Sequence, residues 1–223
     1  MATVASEAGV LYGTTSAGSD GYGAVYQLAP PVVAGGTWTA ANIHSFGPIP
    51  DGGGPEASLT VGQDAVFYGT TLCGGSAQPL CAIPGASGGC DTVFQLTPPT
   101  APGGPWTETV LYSFMRQNGD GAFPFGPVVL APNGILYGTS GYGGNAGSCN
   151  FYFATGCGTV FQLTPPAAPG GAWTETMLHN FSGENGDGAA PIGALALDSN
   201  GVLYGTTFFG GSADLGTVFA ITP

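Results

Sequence analysis

The chain has 223 residues, and its 13 acidic side chains stand against a single cation, Arg116, for a formal net charge of −12. That balance excludes nucleic acid as a partner, since binding it needs a basic footprint that displaces condensed counterions, and it disfavours an anionic membrane surface. No apolar run reaches the ~18 residues that span a bilayer, and residues 1–10 lack the basic and apolar segments of a signal peptide, which suits a mature portion or a piece of a longer chain.

In chain order, the same phrases keep returning. Leu11-Tyr12-Gly13-Thr14 is followed by Val25-Tyr26-Gln27-Leu28, and Trp38-Thr39 opens a further run that ends at Phe46. The set recurs as Phe67-Tyr68-Gly69-Thr70, Val93-Phe94-Gln95-Leu96 and Trp106-Thr107, then as Leu136-Tyr137-Gly138-Thr139, Val160-Phe161-Gln162-Leu163 and Trp173-Thr174. A fourth copy has Leu203-Tyr204-Gly205-Thr206 and Val218-Phe219-Ala220-Ile221 and then ends. With 42 glycines and 19 prolines the composition would suggest disorder, but these residues fall at the same place in each copy and read as turn punctuation.

Each copy predicts four short strands: an alternating run such as Leu195-Ala196-Leu197, the Tyr-Gly-Thr run, the Val-Phe run and the Trp-Thr run. Four antiparallel strands per repeat of roughly 45–70 residues suit an all-β β-propeller better than the much shorter rungs of a β-helix. The expected blades cover 2–46, 56–114, 126–181 and 192–221 of one repeat domain. The last lacks its outer strand, and nothing before the first copy supplies it. The chain therefore closes with one three-stranded blade, shares a ring with another chain, or is half of a longer protein. An open edge strand invites self-association.

The connection between second and third strands varies most: it runs Thr15 to Val25 and Thr207 to Val218 in the outer copies, but Thr71 to Val93 and Ser140 to Val160 in the middle ones. Insertions in repeat proteins map to loops on one face, where function concentrates. All five cysteines lie in these two long loops, predicting Cys149–Cys157 and either Cys81–Cys90 or Cys73–Cys90 as loop-pinning disulfides in an oxidising compartment. No CxxC pair supports a metal site. Tyr142, Phe151, Tyr152, Phe153, Phe208 and Phe209 crowd the same loops, and aromatic faces beside carboxylates are what sugar recognition uses: rings stack on C–H faces while hydroxyls take hydrogen bonds.

The turns Asp51-Gly52-Gly53-Gly54, Asn118-Gly119-Asp120-Gly121 and Asn185-Gly186-Asp187-Gly188 read as Asx-type turns. They echo the start of a calcium loop without its remaining ligands, so no cofactor is expected and Ca2+ is the one alternative. His44 and His179 share a repeat position with Tyr112, which marks the position as architectural. As carboxylates for a polysaccharide hydrolase or lyase, Asp120, Asp187 and Glu184 are the candidates. Arg116 reads as an ion-pair partner of Asp120 and otherwise as a ligand contact, and Glu108 and Glu175 read as solvated on outer strands.

The phrases Leu-Tyr-Gly-Thr-Thr, Gly-Thr-Val-Phe-Gln-Leu-Thr-Pro and Trp-Thr-Glu-Thr, with Asp-Gly-Ala-x-Pro, resemble those of the bacterial GloVer-type tandem-repeat (choice-of-anchor) surface proteins. The resemblance implies an exported protein at the cell surface and carries no defined catalytic residues. The expected function is an extracellular module that binds a glycan or a surface partner through the long loops. A polysaccharide-active enzyme on the same face and a self-assembling structural protein are the alternatives.

Overall fold

The computed structural model describes residues 5–7, 9–17, 21–47, 50–75, 91–101, 103–116, 119–147, 149–151 and 154–223. The repeated phrases form four antiparallel sheets in chain order. The first joins Ala5–Glu7, Val10–Thr15, Ala24–Ala29 and Thr39–Ser45. The second joins Thr60–Val61, Phe67–Thr71, Thr92–Thr97 and Thr107–Ser113. In the third are Val129–Leu130, Leu136–Ser140, Thr159–Thr164 and Thr174–Asn180. The fourth has three strands, Ala196–Leu197, Leu203–Thr206 and Val218–Ile221.

The glycine of each Tyr-Gly-Thr phrase has a steric cause. It lies directly opposite the aromatic residue of the next strand, as in Gly69↔Phe94, Gly138↔Phe161 and Gly205↔Phe219. A Cβ at these glycines would stand 2.5, 2.4 and 2.3 Å from the ring tip, so only glycine lets the ring lie flat across the strand. The threonine pairs are equally regular. Thr71, Ser140 and Thr207 share hydroxyl hydrogen bonds of 2.6, 2.7 and 2.8 Å with Thr92, Thr159 and Thr217.

Strand alternation gives each sheet two faces. One carries the Leu or Phe of the second strand with the aromatic and Leu of the third; the other carries the Tyr and Thr of the second strand with the Val of the third. The Tyr-Thr-Val face of each of the first three sheets packs on the Leu-aromatic face of the next. Tyr12 meets Phe67 at 4.5 Å between ring centres, and Phe46, Phe114 and Phe181 meet Phe94, Phe161 and Phe219 at 5.2, 5.1 and 5.1 Å. The first threonine of each phrase reaches across: Thr14, Thr70 and Thr139 donate to the carbonyls of Ala57, Gly126 and Gly193 at 3.0, 3.3 and 3.2 Å. Three apolar clusters fill these junctions. Each wholly buried phenylalanine contributes roughly 1.5–3 kcal/mol of burial free energy.

The turn that enters each later sheet is tied to the loop that leaves its second strand. Two-residue ribbons pair Gly52–Gly53 with Cys73–Gly74, Gly121–Ala122 with Tyr142–Gly143, and Gly188–Ala189 with Phe209–Gly210. Gly74, Gly143 and Gly210 have φ of 93°, 84° and 83°, and a Cβ there would strike the carbonyl of Asp51, Asp120 or Asp187. Turns and long loops thus form one continuous face.

Candidate functional site

The three turn aspartates are anchored to their own backbone. Asp51, Asp120 and Asp187 each accept from the N–H of the following glycine with one oxygen, at 3.0, 2.7 and 2.8 Å. Their other oxygens accept from the N–H of Gly47, Met115 and Ser182, at 2.7, 2.6 and 2.8 Å. Glu184 lies exposed in the last of these turns. Asp120 and Asp187 are therefore turn locks, with their lone pairs largely engaged.

A bulge sits at the same place in the first three sheets, where Val25↔His44 is followed by Tyr26↔Asn42, and Ile43 is left over. Leu111 and Leu178 are the equivalent extra residues. The bulge re-aims the next side chain, setting His44, Tyr112 and His179 beside the turn aspartates. His44 Nε2 stands 3.7 Å from Asp51 and His179 Nε2 3.4 Å from Asp187, while Tyr112 bonds Asp120.

At the first two junctions a glutamate from the next sheet joins the group. His44, Asp51 and Glu108 bring one donor atom each within 4.8 Å of one another. Contrary to the solvated position expected from sequence, Glu108 and Glu175 point between sheets, and each keeps one buried oxygen without a hydrogen-bond partner. The outer strand puts alternate residues on its inner face, and these two fall on it.

Burial and the neighbouring Asp51 push the Glu108 carboxyl up to about 9. Burial also pushes Asp51 up, but the His44 imidazole, the Glu108 carboxyl and the Gly47 N–H outweigh it and bring Asp51 down to about 2. Burial, then Asp120, raises Glu175 to about 7. Asp51 and Glu108 therefore hold one proton between them at neutral pH, and a cation would have to displace it. The third junction has no glutamate here, because the fourth sheet lacks an outer strand.

This arrangement sets a pH dependence. A carboxyl whose pKa rises on folding stabilises most below its unfolded value and loses that contribution as pH climbs to the folded value. For Glu108 the loss runs from about 4.5 to about 9, whereas for Glu175 it is complete near 7. Asp51 contributes in the opposite sense, losing stability only as pH falls from 3.8 to about 2. The fall in melting temperature between pH 7 and 9 is therefore expected to flatten in Glu108→Gln, which keeps a neutral donor for Asp51. Parallel wild-type and variant curves from differential scanning calorimetry would remove Glu108 as the cause.

Arg116 does not pair with Asp120. Its Nε donates to Asp91 Oδ2 at 2.9 Å, its Nη2 to Asp91 Oδ1 and, at 3.0 Å, to the Leu72 carbonyl; the guanidinium carbon lies 4.1 Å from the Phe123 ring centre. Phe123 N–H also donates to Asp91, at 2.8 Å. Both charged side chains are fully buried, so Arg116 is a structural cross-link of the second repeat, beyond reach of a bulky ligand. Sequence reasoning missed Asp91, although a signal exists: Asp91 replaces the glycine of the Gly-Thr-Val phrase (Gly158, Gly216), and Arg116 replaces Gly183. The pair is a joint replacement of two glycines.

The aromatic loop residues have a different fate. Tyr142, Phe208 and Phe209 come together in a pocket of about 290 Å³, completed by Phe125, Ala190 and Ile192. Phe208 and Phe209 meet edge to face at 4.7 Å and are 59% and 46% exposed. A second pocket of about 310 Å³ adjoins it through Tyr142, Ala190 and Phe209, and adds Cys149, Gly210 and Asp214. Cys149 is disulfide-bonded to Cys157 and fixes the loop that forms this wall. Cys73 carries a free thiol. Phe151 lies in a two-residue strand whose side chains are not described; Tyr152, Phe153, Cys81 and Cys90 lie outside the described residues. Phe125 and Ile192 were not foreseen; the available signal was that they follow Pro124 and Pro191, where the second repeat has Glu56 after Pro55.

The groove contains no cation. Its polar groups are the Tyr142 phenol, which burial pushes up, the Asp214 carboxylate and backbone amides. A larger pocket of about 490 Å³ lies at the other end of the sheets, around Gln63, Tyr68, Gln95 and Pro132, with one aromatic face only. The aromatic groove is the better recognition surface, since it pairs several apolar rings with a few placed acceptors.

Neither the curated proteins nor the solved structures include a match to this chain. The family model of the Gloeobacter/Verrucomicrobia repeat matches residues 1–168, most of the chain, across the phrases that build the first three sheets. The protein belongs to the Gloeobacter/Verrucomicrobia repeat family.

Proposed function

We propose that this chain is an extracellular or cell-surface binding module, with its repeats set as blades of a propeller, and that it recognises a neutral glycan. The observation that carries the reading is the groove of Phe125, Tyr142, Phe208 and Phe209 at the junction of the third and fourth sheets. Large rings exposed side by side are costly in water unless something covers them. A sugar suits them: its C–H face stacks on the rings while its hydroxyls donate to Asp214 and backbone carbonyls. A neutral sugar is favoured over an acidic one, because the chain's net charge is −12 and the groove offers no cation. The hydrolase alternative draws little from the carboxylates. Asp120 and Asp187 hold turns, and Asp51 and Glu108 share a proton, which leaves no room between them for a glycosidic bond.

The test is calorimetric titration of the protein with neutral oligosaccharides first selected on a glycan array. Phe208→Ala and Phe209→Ala are each expected to weaken binding about tenfold, as losing a stacked ring worth about 1–1.5 kcal/mol implies. Unchanged affinity in both variants, or an array without a neutral glycan hit, removes this reading.

A further inference from the structure

The three internal junctions show what each face of a sheet requires as a neighbour, and each end of the stack has one such face uncovered. In the first three sheets the Tyr-Thr-Val face is covered: Tyr12 and Tyr137 are 7% exposed, Thr14, Thr70 and Thr139 no more than 6%, and Val25, Val93 and Val160 0%. The same face of the fourth sheet is open. Tyr204 is 43% exposed and Val218 81%, and Thr206 is exposed, so the hydroxyl that crosses to the next repeat at every other junction has no next repeat to reach.

At the opposite end, the first sheet shows the complementary deficit. The Leu-aromatic face is wholly buried in the later sheets, with Phe67, Phe94 and Leu96, then Leu136, Phe161 and Leu163, all at 0%. In the first sheet the corresponding Leu11, Tyr26 and Leu28 are only half-buried. The register is preserved, since Gly13 lies opposite Tyr26 just as Gly69 lies opposite Phe94. The two ends are thus the two halves of a junction that the chain already makes three times.

We infer that the open face of the fourth sheet docks the first sheet of a second copy of this chain, head to tail, extending the stack by a fourth junction of the same kind. The occupant follows from that repetition: Tyr204, Thr206 and Val218 repeat the phrase positions that elsewhere receive a Leu-aromatic face, and Leu11, Tyr26 and Leu28 supply one. This contact uses sheet faces, not the open edge strand. It is heterologous, so each copy keeps one free end of each kind. The net charge opposes association, and added salt therefore strengthens it.

Sedimentation velocity at 5–200 µM, near 0.15 M salt, reads the outcome. Wild type is expected to show mass increasing with concentration. Val218→Asp places a charge on the tail face, and Leu28→Asp places one on the head face; each alone is expected to remain monomeric. Mixed in equal amounts they are expected to form a 1:1 pair, because one retains an intact head and the other an intact tail. If Leu28→Asp fails to fold, Tyr204→Glu mixed with Leu28→Gln tests the same complementation. A wild type that is monomeric throughout overturns the inference, as does association that survives Val218→Asp, or single variants that block association while their mixture stays monomeric. Loss of glycan binding in these variants is not expected, so this outcome and that of the groove separate cleanly.

Discussion

Replacing Arg116 by leucine is expected to destabilise the protein by about 3–5 kcal/mol, the range found when one partner of a buried ion pair is removed. The loss is large because Asp91 is 0% exposed and would keep a charge, or take up a proton, with the Phe123 N–H as its remaining donor from outside its own segment, while the Leu72 carbonyl would lose its guanidinium partner. Burial itself pushes the Asp91 carboxyl up, and the guanidinium acts against that push. The double variant Asp91→Gly with Arg116→Gly restores the residues found at these places in the third repeat, Gly158 and Gly183, and is expected to recover much of the loss. Arg116 has φ of +55°, a conformation that glycine adopts without strain. Urea unfolding of the two single variants and the double variant gives the coupling directly. Additive losses would mean that the two side chains do not depend on one another.

Val160→Asp and Val218→Asp change the same letter of the same phrase and are expected to differ by several kcal/mol. Val160 is 0% exposed at the junction of the third and fourth sheets, so an aspartate there must be buried without a cation, and only one exists in the chain. That substitution is expected to unfold the protein or to leave a species without near-ultraviolet ellipticity. Val218 is 81% exposed, and its replacement is expected to leave the melting temperature of the monomer within about 1 °C, as for ordinary surface changes. Equal effects at the two sites would mean that the fourth sheet's face is covered in solution even in the monomer. The comparison isolates neighbourhood from sequence, because the local phrase is identical.

The groove and the buried carboxyls respond differently to the same architecture. Tyr142 and Phe209 occupy equivalent positions in their repeats, as do Phe125 and Ile192, and the second repeat has Cys73 and Glu56 in their places. The aromatic pocket therefore arises at one junction only, from residues that depart from the repeat average. The His/Tyr–Asp–Glu groups arise at the junctions because of a shared bulge, and their protonation is a matter of stability. This division is why ligand binding is assigned to the former and pH dependence to the latter.

Much of the architecture was legible in the sequence because its causes are local. The period shows directly in the recurring phrases, strands follow from β-branched and aromatic runs between glycine turns, and the shortfall of a strand in the fourth sheet follows from the chain ending after Ile221. The Asx turns at Asp120 and Asp187 were readable for the same reason, since each carboxylate bonds backbone within five residues.

What the tertiary structure alone decided depends on which sheet lies next to which. The bulges at Ile43, Leu111 and Leu178 exist only in the pairing of two strands, and they turn Glu108 and Glu175 from expected surface residues into buried neighbours of Asp51 and Asp120. Arg116 found Asp91, 25 residues away, because the sequentially nearer Asp120 was already saturated by backbone N–H groups. One phrase, Val-Phe, is core at Val160 and surface at Val218, since burial is a property of the neighbour and not of the residue. Sequence by itself determined the repeat, its strands and its turns; only packing decided which of their identical faces are covered, because hydrophobic free energy comes from the area a neighbour removes from water.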